Sequence, residues 1–315
     1  MAICLVIIAH KIKLFKCILI HGYMPSETLL GCMIAIPKDK AATRFSEKYR
    51  AITLSSVIGK LFDLVILERE GKQSLRTDNQ QFGFKPGCST TLCTGMLRET
   101  ITHFVNNGSD VYGLFLDASK AFDRIDYVKL FSTLNSKKMN PIYVRCLLHM
   151  YCNQKLCVRW NGVRTDNFST SNGVKQGGIL SPLLFSTYID GMLQKLRESG
   201  LGCYVGPHFC AAFGYADDIC LLSPTRQSLQ SMITICEDYA KDFKITFNGA
   251  KSQLVRFRAP RQNTCTTRNE NVVVEGEFVY CRDSALHLGH MLFADILVDD
   301  RENVIKQFYK QYNGF

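Results

Sequence analysis

The sequence predicts an α+β fold, because strand-like and helix-like segments both recur along its 315 residues. A continuous apolar run at residues 111–116 is typical of a strand buried on both faces, and it ends at Asp117. Two further apolar runs flank Asp217 and Asp218, a pattern that predicts a tight hairpin between buried strands. Residues 229–243 instead carry apolar side chains at the spacing of an amphipathic helix.

The same spacing rules predict the other elements in chain order. Helices are expected at residues 1–19, 56–66, 91–105, 126–138, from 141 onward, and at 181–198. Strands are expected at residues 33–36, 52–54, 155–160, 163–168, 245–248, 254–257, 272–274 and 278–280. The Asn161-Gly162 pair predicts a hairpin turn between two of them.

The composition is that of a globular, basic chain. Hydrophobic residues make up 46% of it, charged residues 21%, and the net charge is +10. Such a surplus suggests a polyanionic partner, with nucleic acid as the first candidate, although a basic protein without such a partner has the same charge. The 14 cysteines form no Cys-x-x-Cys pair, which favours reduced thiols and an intracellular protein over a zinc site or a disulfide scaffold.

Three stretches could carry chemistry, and each also has a purely structural interpretation. Asp117 is either a cap for the following turn or a ligand. Asp217 and Asp218 either fill a solvated turn or bind a divalent metal, since neighbouring carboxylates repel unless a cation neutralises them. The glycine-rich loop at residues 173–182 lets a ligand approach the backbone closely, but alone it is weak evidence.

Taken in order, these stretches resemble the reverse-transcriptase domain of non-LTR retrotransposons of the LINE type, in particular jockey-like elements. The matching segments are residues 49–52 and 81–84 (fingers motifs), 115–123 (first catalytic motif), 173–182 (template and nucleotide motif), 215–218 (catalytic hairpin), 248 with 251 (lysine motif) and 288–289 (primer grip). The chain departs from the family pattern at Ala51, Lys85, Cys88 and His287.

The resemblance implies a right-hand polymerase fold with an antiparallel palm sheet. Residues 1–110 would form a fingers-like region, residues 111–292 the palm with its catalytic motifs and primer grip, and residues 293–315 the start of a truncated thumb. No stretch resembles an endonuclease or an RNase H. The sequence is therefore expected to be a fragment of the element's second reading frame, truncated at both ends.

The resemblance also implies a two-metal site. Asp117 and Asp217 would bridge two Mg²⁺ ions, for which Mn²⁺ is a possible substitute, while Asp218 is the supporting acid and the carbonyl of Ala118 a further oxygen ligand. Lys251 is a candidate general acid, although a plain surface lysine fits the pattern as well.

A second group of residues would bind the nucleotide and the primer. Gln176 and Gly177 would line the incoming nucleotide, and Phe122 resembles the steric gate that excludes ribonucleotides, with ordinary core packing as its alternative. Arg50, with Lys38, would bind the triphosphate, although these residues could simply belong to a solvated loop. Leu288 and Gly289 would form the primer grip.

The implied function is RNA-directed DNA polymerisation in the cytoplasm or the nucleus. The implied partners are an RNA template, a DNA primer and dNTPs, with no membrane and no small-molecule organic cofactor. Two alternatives remain: a non-catalytic nucleic-acid-binding relic, and a host reverse transcriptase of the telomerase kind. Retention of all three aspartates favours the enzyme over the relic.

Overall fold

The computed structural model describes residues 2–38, 45, 48–71, 73–260 and 270–295. Most of the predicted basic loop, and the predicted thumb from residue 296 onward, lie outside the described residues. The chain forms two compact units: unit 1 is residues 1–77 with 122–188, and unit 2 is residues 78–121 with the chain from 189 onward. The fingers-like and palm boundaries at residues 110 and 292 stay a prediction.

Seven α-helices are present in the described residues. They are α1 (Ala2–His21), α2 (Val57–Glu70), α3 (Thr90–Asn106), α4 (Tyr127–Ser136), α5 (Pro141–Asn153), α6 (Ser181–Glu198) and α7 (Arg226–Asp242). Their N-termini follow from local chemistry, since Ser56, Ser89, Asp126 and Asn140 each accept a hydrogen bond from a first-turn N–H. These caps confirm the predicted helix starts. In the described part of the chain, no helix is both long and apolar enough to cross a membrane.

The strands run from β1 to β15 in the described part of the chain. They are β1 (Leu30–Pro37), β2 (Tyr49–Ser55), β3 (Val111–Leu116), β4 (Lys155–Trp160), β5 (Val163–Arg164), β6 (Phe168–Ser169), β7 (Tyr204–Val205), β8 (His208–Phe209), β9 (Ala212–Tyr215), β10 (Asp218–Ser223), β11 (Gln253–Phe257), β12 (Asn271–Val274), β13 (Glu277–Arg282), β14 (Ser284–His287) and β15 (His290–Phe293).

Two strand predictions need correction. Residues 245–248 form no strand, and only Phe247 makes an isolated bridge, to Ala118, because Asn248 closes a turn by accepting from the Lys251 and Ser252 N–H groups. The strand expected at residues 163–168 is divided into β5 and β6. Between them, the Thr165 N–H donates to the Val158 carbonyl and the Thr165 hydroxyl oxygen accepts from the Val158 N–H.

Unit 1 is built on a sheet with strand order β2-β1-β4-β5, in which β6 also pairs with β4. The β1–β4 pair is parallel and the others are antiparallel. The Asn161-Gly162 turn joins β4 to β5 with both residues at positive φ, as the predicted hairpin requires.

Unit 2 is built on a six-stranded sheet with strand order β12-β13-β11-β3-β10-β9. All pairs are antiparallel except β11–β13. Every residue of β3 is buried, which confirms the predicted central strand, and α3 and α7 pack against the sheet. This sheet positions the aspartates.

Candidate active site

Asp117 stands at the end of β3, where the central strand of unit 2 reaches the surface. Its N–H donates to the Ser252 Oγ at 3.2 Å, and its carbonyl accepts from the Asn248 N–H at 2.9 Å. The next residue, Ala118, bridges to Phe247. The backbone of Asp117 is therefore fixed by the segment at residues 248–252, and its half-buried side chain lies at the edge of the sheet.

Asp217 and Asp218 lie in the hairpin between β9 and β10. Asp218 pairs with Tyr215, so Ala216 and Asp217 form the turn, and Ala216 adopts a φ of +59°. Ile219 pairs with Leu116 in the neighbouring strand, which places Asp218 one register step further on, opposite Asp117. The structure thus brings the three predicted carboxylates to the same edge of one sheet.

The buried side chain of Gln81 forms hydrogen bonds with the turn of this hairpin. Its Oε1 accepts from the N–H of Ala216 and from the N–H of Gly83, each at 2.9 Å. The adjoining backbone also pairs with β9, where the Phe82 N–H donates to the Gly214 carbonyl at 2.7 Å. The approach is so close that a Cβ on Gly83 would lie 2.3 Å from the Ala216 nitrogen.

This role of Gln81 was missed by the sequence analysis, which assigned residues 81–84 to the fingers only. The structure places Gln81 in unit 2, against the hairpin between β9 and β10. The sequence did contain one signal: a glutamine two residues before a glycine, with a phenylalanine on each side of that glycine, a composition suited to close backbone contact.

Lys251 lies in the turn that supports Asp117. Its N–H donates to the Asn248 Oδ1 at 3.1 Å, and the Ser252 hydroxyl donates to the Asn248 carbonyl at 2.8 Å. The Lys251 side chain is exposed, so it is accessible to a substrate, and its role as a general acid stays a prediction.

The pKa of Asp218 responds both to burial and to the two neighbouring acids. Partial removal from water, followed by the negative charges of Asp217 and Asp117, raises the pKa of Asp218 to about 6. The shift shows that the three carboxylates interact although Asp218 keeps an exposed surface. A bound cation would relieve the repulsion.

The three acids fit a divalent cation in charge and donor type. Carboxylate and carbonyl oxygens are the hard ligands that Mg²⁺ prefers, and Asp117, Asp217, Asp218 and the Ala118 carbonyl supply them. Within the described residues, however, no three His, Cys, Asp or Glu side chains already stand together as a metal cluster.

The predicted primer grip forms the turn of the last described hairpin. Leu288 and Gly289 join β14 to β15, both at positive φ. His287, at the end of β14, is buried with its ring 5.0 Å from that of Phe115. Burial, and then the charge of His290, lower the pKa of His287 to about 4.

Gln176 and Gly177 lie in unit 1, in the loop that precedes α6. The backbone carbonyl of Gln176 accepts from the Thr53 N–H of β2 at 2.7 Å. The side-chain Nε2 of Gln176 donates to the Asp123 Oδ1 at 3.0 Å. Gly177 adopts a φ of +96°, and a Cβ there would meet Ile52 and Thr53 at 3.2–3.3 Å. Gln176 also lines a cavity of about 210 Å³ beside the unit 1 sheet.

The half-buried carboxyl of Asp63 on α2 lies beside this loop. Burial raises the pKa of Asp63 on α2 to about 6, while the charge of Lys175 and the N–H groups of Ile179 and Leu180 oppose that shift. Burial likewise lowers the pKa of Lys175, against the charge of Asp63. The bonds from the Ile179 and Leu180 N–H groups to the Asp63 carboxyl join the loop to α2.

The other predicted nucleotide residues also lie in unit 1. Arg50 is exposed on β2. Lys38 is exposed just after β1, and its backbone N–H donates to the Lys48 carbonyl. Phe122 is half-buried, and its ring stacks on that of Phe185 with centroids 4.5 Å apart. That stacking is the core contact expected of its alternative role, so the steric gate stays a prediction.

Comparisons of the sequence with known proteins indicate one family. The family model described as reverse transcriptase (RNA-dependent DNA polymerase) matches residues 36–290. The chain is 28% identical to the Pol polyprotein of the R2 retrotransposable element of Drosophila melanogaster, over 87% of the chain and 25% of that protein. It is 24% identical to the RNA-directed DNA polymerase of the mobile element jockey of Drosophila funebris, over 79% of the chain and 28% of that protein.

The fold likeness extends to solved structures. Apo telomerase from Candida tropicalis covers 86% of this chain with a TM-score of 0.56 at 10% identity, and the chain covers 48% of it. This likeness confirms the predicted right-hand polymerase fold. The chain spans about a quarter of the length of the two retrotransposon relatives.

Proposed function

Because this chain belongs to the reverse transcriptase (RNA-dependent DNA polymerase) family, we propose that it acts as an RNA-directed DNA polymerase of a non-LTR retrotransposon. The observation that carries this proposal is the placement of Asp117, Asp217 and Asp218 at one edge of the unit 2 sheet. Such a set of acids suits the binding of divalent metal and has no evident structural purpose, since repulsion among carboxylates destabilises the fold.

The proposed reaction joins the primer 3′ oxygen to the α-phosphorus of a dNTP and releases pyrophosphate. Two Mg²⁺ ions, or Mn²⁺ in their place, would favour deprotonation of the 3′ hydroxyl and neutralise the triphosphate charge. Asp117 and Asp217 would hold both ions, with the Ala118 carbonyl as a further ligand. Asp218 would support them as a neighbouring acid.

The protein groups would position the substrates. Arg50 and Lys38 would bind the triphosphate oxygens, because guanidinium and ammonium donors suit phosphate. Gln176 and Gly177 would contact the nucleotide, Phe122 would exclude a 2′ hydroxyl, and Lys251 would protonate the leaving pyrophosphate.

The domain and cellular assignments belong to the same proposal. Residues 1–110 would act as fingers and residues 111–292 as palm, with Leu288 and Gly289 gripping a DNA primer paired to the RNA template. The protein would work in the cytoplasm or the nucleus.

Primer extension tests the proposal. The purified chain, an RNA template, a DNA primer, dNTPs and Mg²⁺ are incubated beside the Asp217→Asn, Asp218→Asn double variant. Asp238→Asn, an exposed acid on α7, serves as the control. Extension by the parent and the control, abolished by a chelator and by the double variant, supports the polymerase. Binding of primer-template without extension by the parent supports the non-catalytic relic.

A further inference from the structure

Two cysteine side chains lie next to each other on adjacent strands of the unit 1 sheet. Cys32 on β1 is the register partner of Cys157 on β4, and the two strands are parallel. Register partners place their side chains on the same face of a sheet, and neighbouring strands are about 4.8 Å apart. A disulfide joins Cα atoms about 4.4–6.8 Å apart, so this backbone separation suits one. The two thiols also form a hydrogen bond with each other.

The two thiols differ in their access to solvent. Cys157 is buried, with 8% of its surface exposed, whereas Cys32 is half-buried. Leu30 and Leu54 lie beside Cys32 on the same face, since Leu30 is two residues before it on β1 and Leu54 is its partner on β2. Their side chains are 44% and 45% exposed, so this face is open to solvent around Cys32. A small molecule in solution can therefore reach the Cys32 sulfur.

The same face of the sheet is basic. Lys155 and Arg159 lie two residues before and two residues after Cys157, and Arg164 is the register partner of Arg159. The strands of this sheet, all within the described residues, contain no acidic residue. Removal from water, and then the hydrogen bond and charge of Cys32, raise the pKa of Cys157, while the positive charge of Arg164 opposes that shift. Nearby cations favour the thiolate, which is the form of cysteine that reacts.

A second pair of cysteines provides a comparison within the same chain. Cys203 and Cys210 flank the β7–β8 hairpin of unit 2, where the Cys210 N–H donates to the Cys203 carbonyl at 2.9 Å. Cys203 is fully buried, and burial, followed by the charge of Cys210, raises its pKa to about 12. A buried thiol of this kind is inert. The Cys32–Cys157 pair therefore combines proximity with access and positive charge, as the second pair does not.

We propose that Cys32 and Cys157 form a redox-sensitive dithiol, which a peroxide converts to a disulfide. The Cys32 thiolate attacks one oxygen of hydrogen peroxide, the O–O bond breaks, and the departing hydroxide takes up a proton to become water, leaving a sulfenic acid on Cys32. The Cys157 thiolate then attacks the Cys32 sulfur, so that the S–S bond forms, the S–O bond breaks and a second water leaves. The two thiols together lose two electrons, which reduce the peroxide. In a reducing compartment such disulfides are usually transient and redox-sensing.

Peptide mapping of the oxidised protein tests this proposal. The full chain is reduced, freed of reductant and treated with hydrogen peroxide in the presence of a chelator. Remaining thiols are blocked with iodoacetamide, and the protein is digested without reduction for mass spectrometry. We expect the peptides that contain Cys32 and Cys157 to be joined, at the sum of their masses less two hydrogen atoms, and to separate after treatment with dithiothreitol. Cys203 and Cys210 should remain reduced.

Variants separate the roles of the two thiols and of the surrounding charge. Cys157→Ser should stop oxidation at the sulfenic acid of Cys32, which dimedone traps as a covalent adduct. Cys32→Ser should leave Cys157 as a thiol at the same dose of peroxide. Arg164→Gln should raise several-fold the fraction of Cys32 that dimedone captures before the link forms, because less Cys157 is ionised, and Arg164→Lys should restore the parent's fraction. Cys210→Ser, the matched loss of a paired thiol, should leave formation of the link unchanged.

Oxidation of the folded parent that stops at a sulfenic or sulfinic acid on Cys32, or that leaves both thiols reduced, would overturn the proposal. A link that forms equally fast between Cys203 and Cys210 would also contradict it, because proximity alone would then be sufficient. Thermal melting of each variant identifies any loss of folding, and the experiment on the parent needs no variant. The inference goes beyond the proposed function, and its test uses no primer, template or dNTP, so the two can fail separately.

Discussion

Replacing Gln81 by methionine should loosen the β9–β10 hairpin, which carries the proposed catalytic acids, while leaving the rest of the sheet folded. The change keeps the length of the side chain but removes the oxygen that accepts from Ala216 and Gly83. Each buried N–H left without a partner costs about 1–3 kcal/mol, so the variant should lose several kcal/mol of stability, concentrated at the turn. Because Ala216 adopts a positive φ, we expect this turn to relax once it is released.

Gln230 offers a matched control in the same unit. Its side-chain amide also forms two hydrogen bonds with a backbone: it donates to the Val273 carbonyl at 2.9 Å and accepts from the Val273 N–H at 2.8 Å. Val273 lies on β12, at the edge of the sheet opposite to β9. Gln230→Met therefore removes a comparable clamp far from the aspartates.

Three readouts follow the hairpin in these variants. Hydrogen exchange of residues 212–219 should accelerate in Gln81→Met and not in Gln230→Met. Electron paramagnetic resonance of Mn²⁺ should show weaker metal binding only in Gln81→Met. A displacement of about 1 Å at a reacting centre costs roughly 100-fold in rate, so primer extension should lose about that factor in kcat. Gly83→Ala should act in the same direction, since its Cβ would meet the Ala216 nitrogen.

A Gln81→Met protein that keeps its Mn²⁺ affinity and a kcat within threefold of the parent, at a temperature where both are folded, would refute the positioning role of Gln81. Faster hairpin exchange with unchanged metal binding would show that Gln81 stabilises the fold without positioning the acids.

Three further predictions concern single residues. Phe122→Val should raise the efficiency of ribonucleotide incorporation relative to dNTPs, measured by kcat/KM for each, whereas a purely structural ring would lower both alike. Lys251→Ala should slow the chemical step in single-turnover kinetics without changing the melting temperature, because its side chain is exposed; an unchanged rate would exclude it as the general acid. His287 has a folded-state pKa of about 4 against about 6.5 when unfolded, so stability is complete above pH 6.5 and falls as the pH is lowered toward 4. At pH 5 the loss should be about 2 kcal/mol in urea unfolding, and His287→Tyr should abolish that component.

The helices and the central strands could be predicted because their signals are local. Ser56, Asp126 and the Asn140-Pro141 pair each satisfy first-turn N–H groups or fix φ within four residues, and β3 is apolar throughout. The edge position of Asp117 followed from the end of that apolar run.

The clamp on the hairpin could not be predicted, because Gln81 and Ala216 are 135 residues apart and meet only through the sheet register. The failed strand at residues 245–248 has a similar cause. Its apolar alternation is genuine, but Asn248 uses its backbone and side chain to close the turn beneath Asp117, which ends the pairing. The β7–β8 hairpin, with two residues per strand, is too short to give a periodic signal.

The most direct test of the central claim is the rate of a single nucleotide addition under single-turnover conditions, with Asp117→Asn and Asp217→Asn compared with the parent. The same experiment measures the affinity of each protein for primer-template. If the three acids form one metal-dependent polymerase centre, each variant should lose at least about 1,000-fold in rate while binding primer-template as the parent does. A rate within tenfold of the parent for Asp117→Asn would contradict the account.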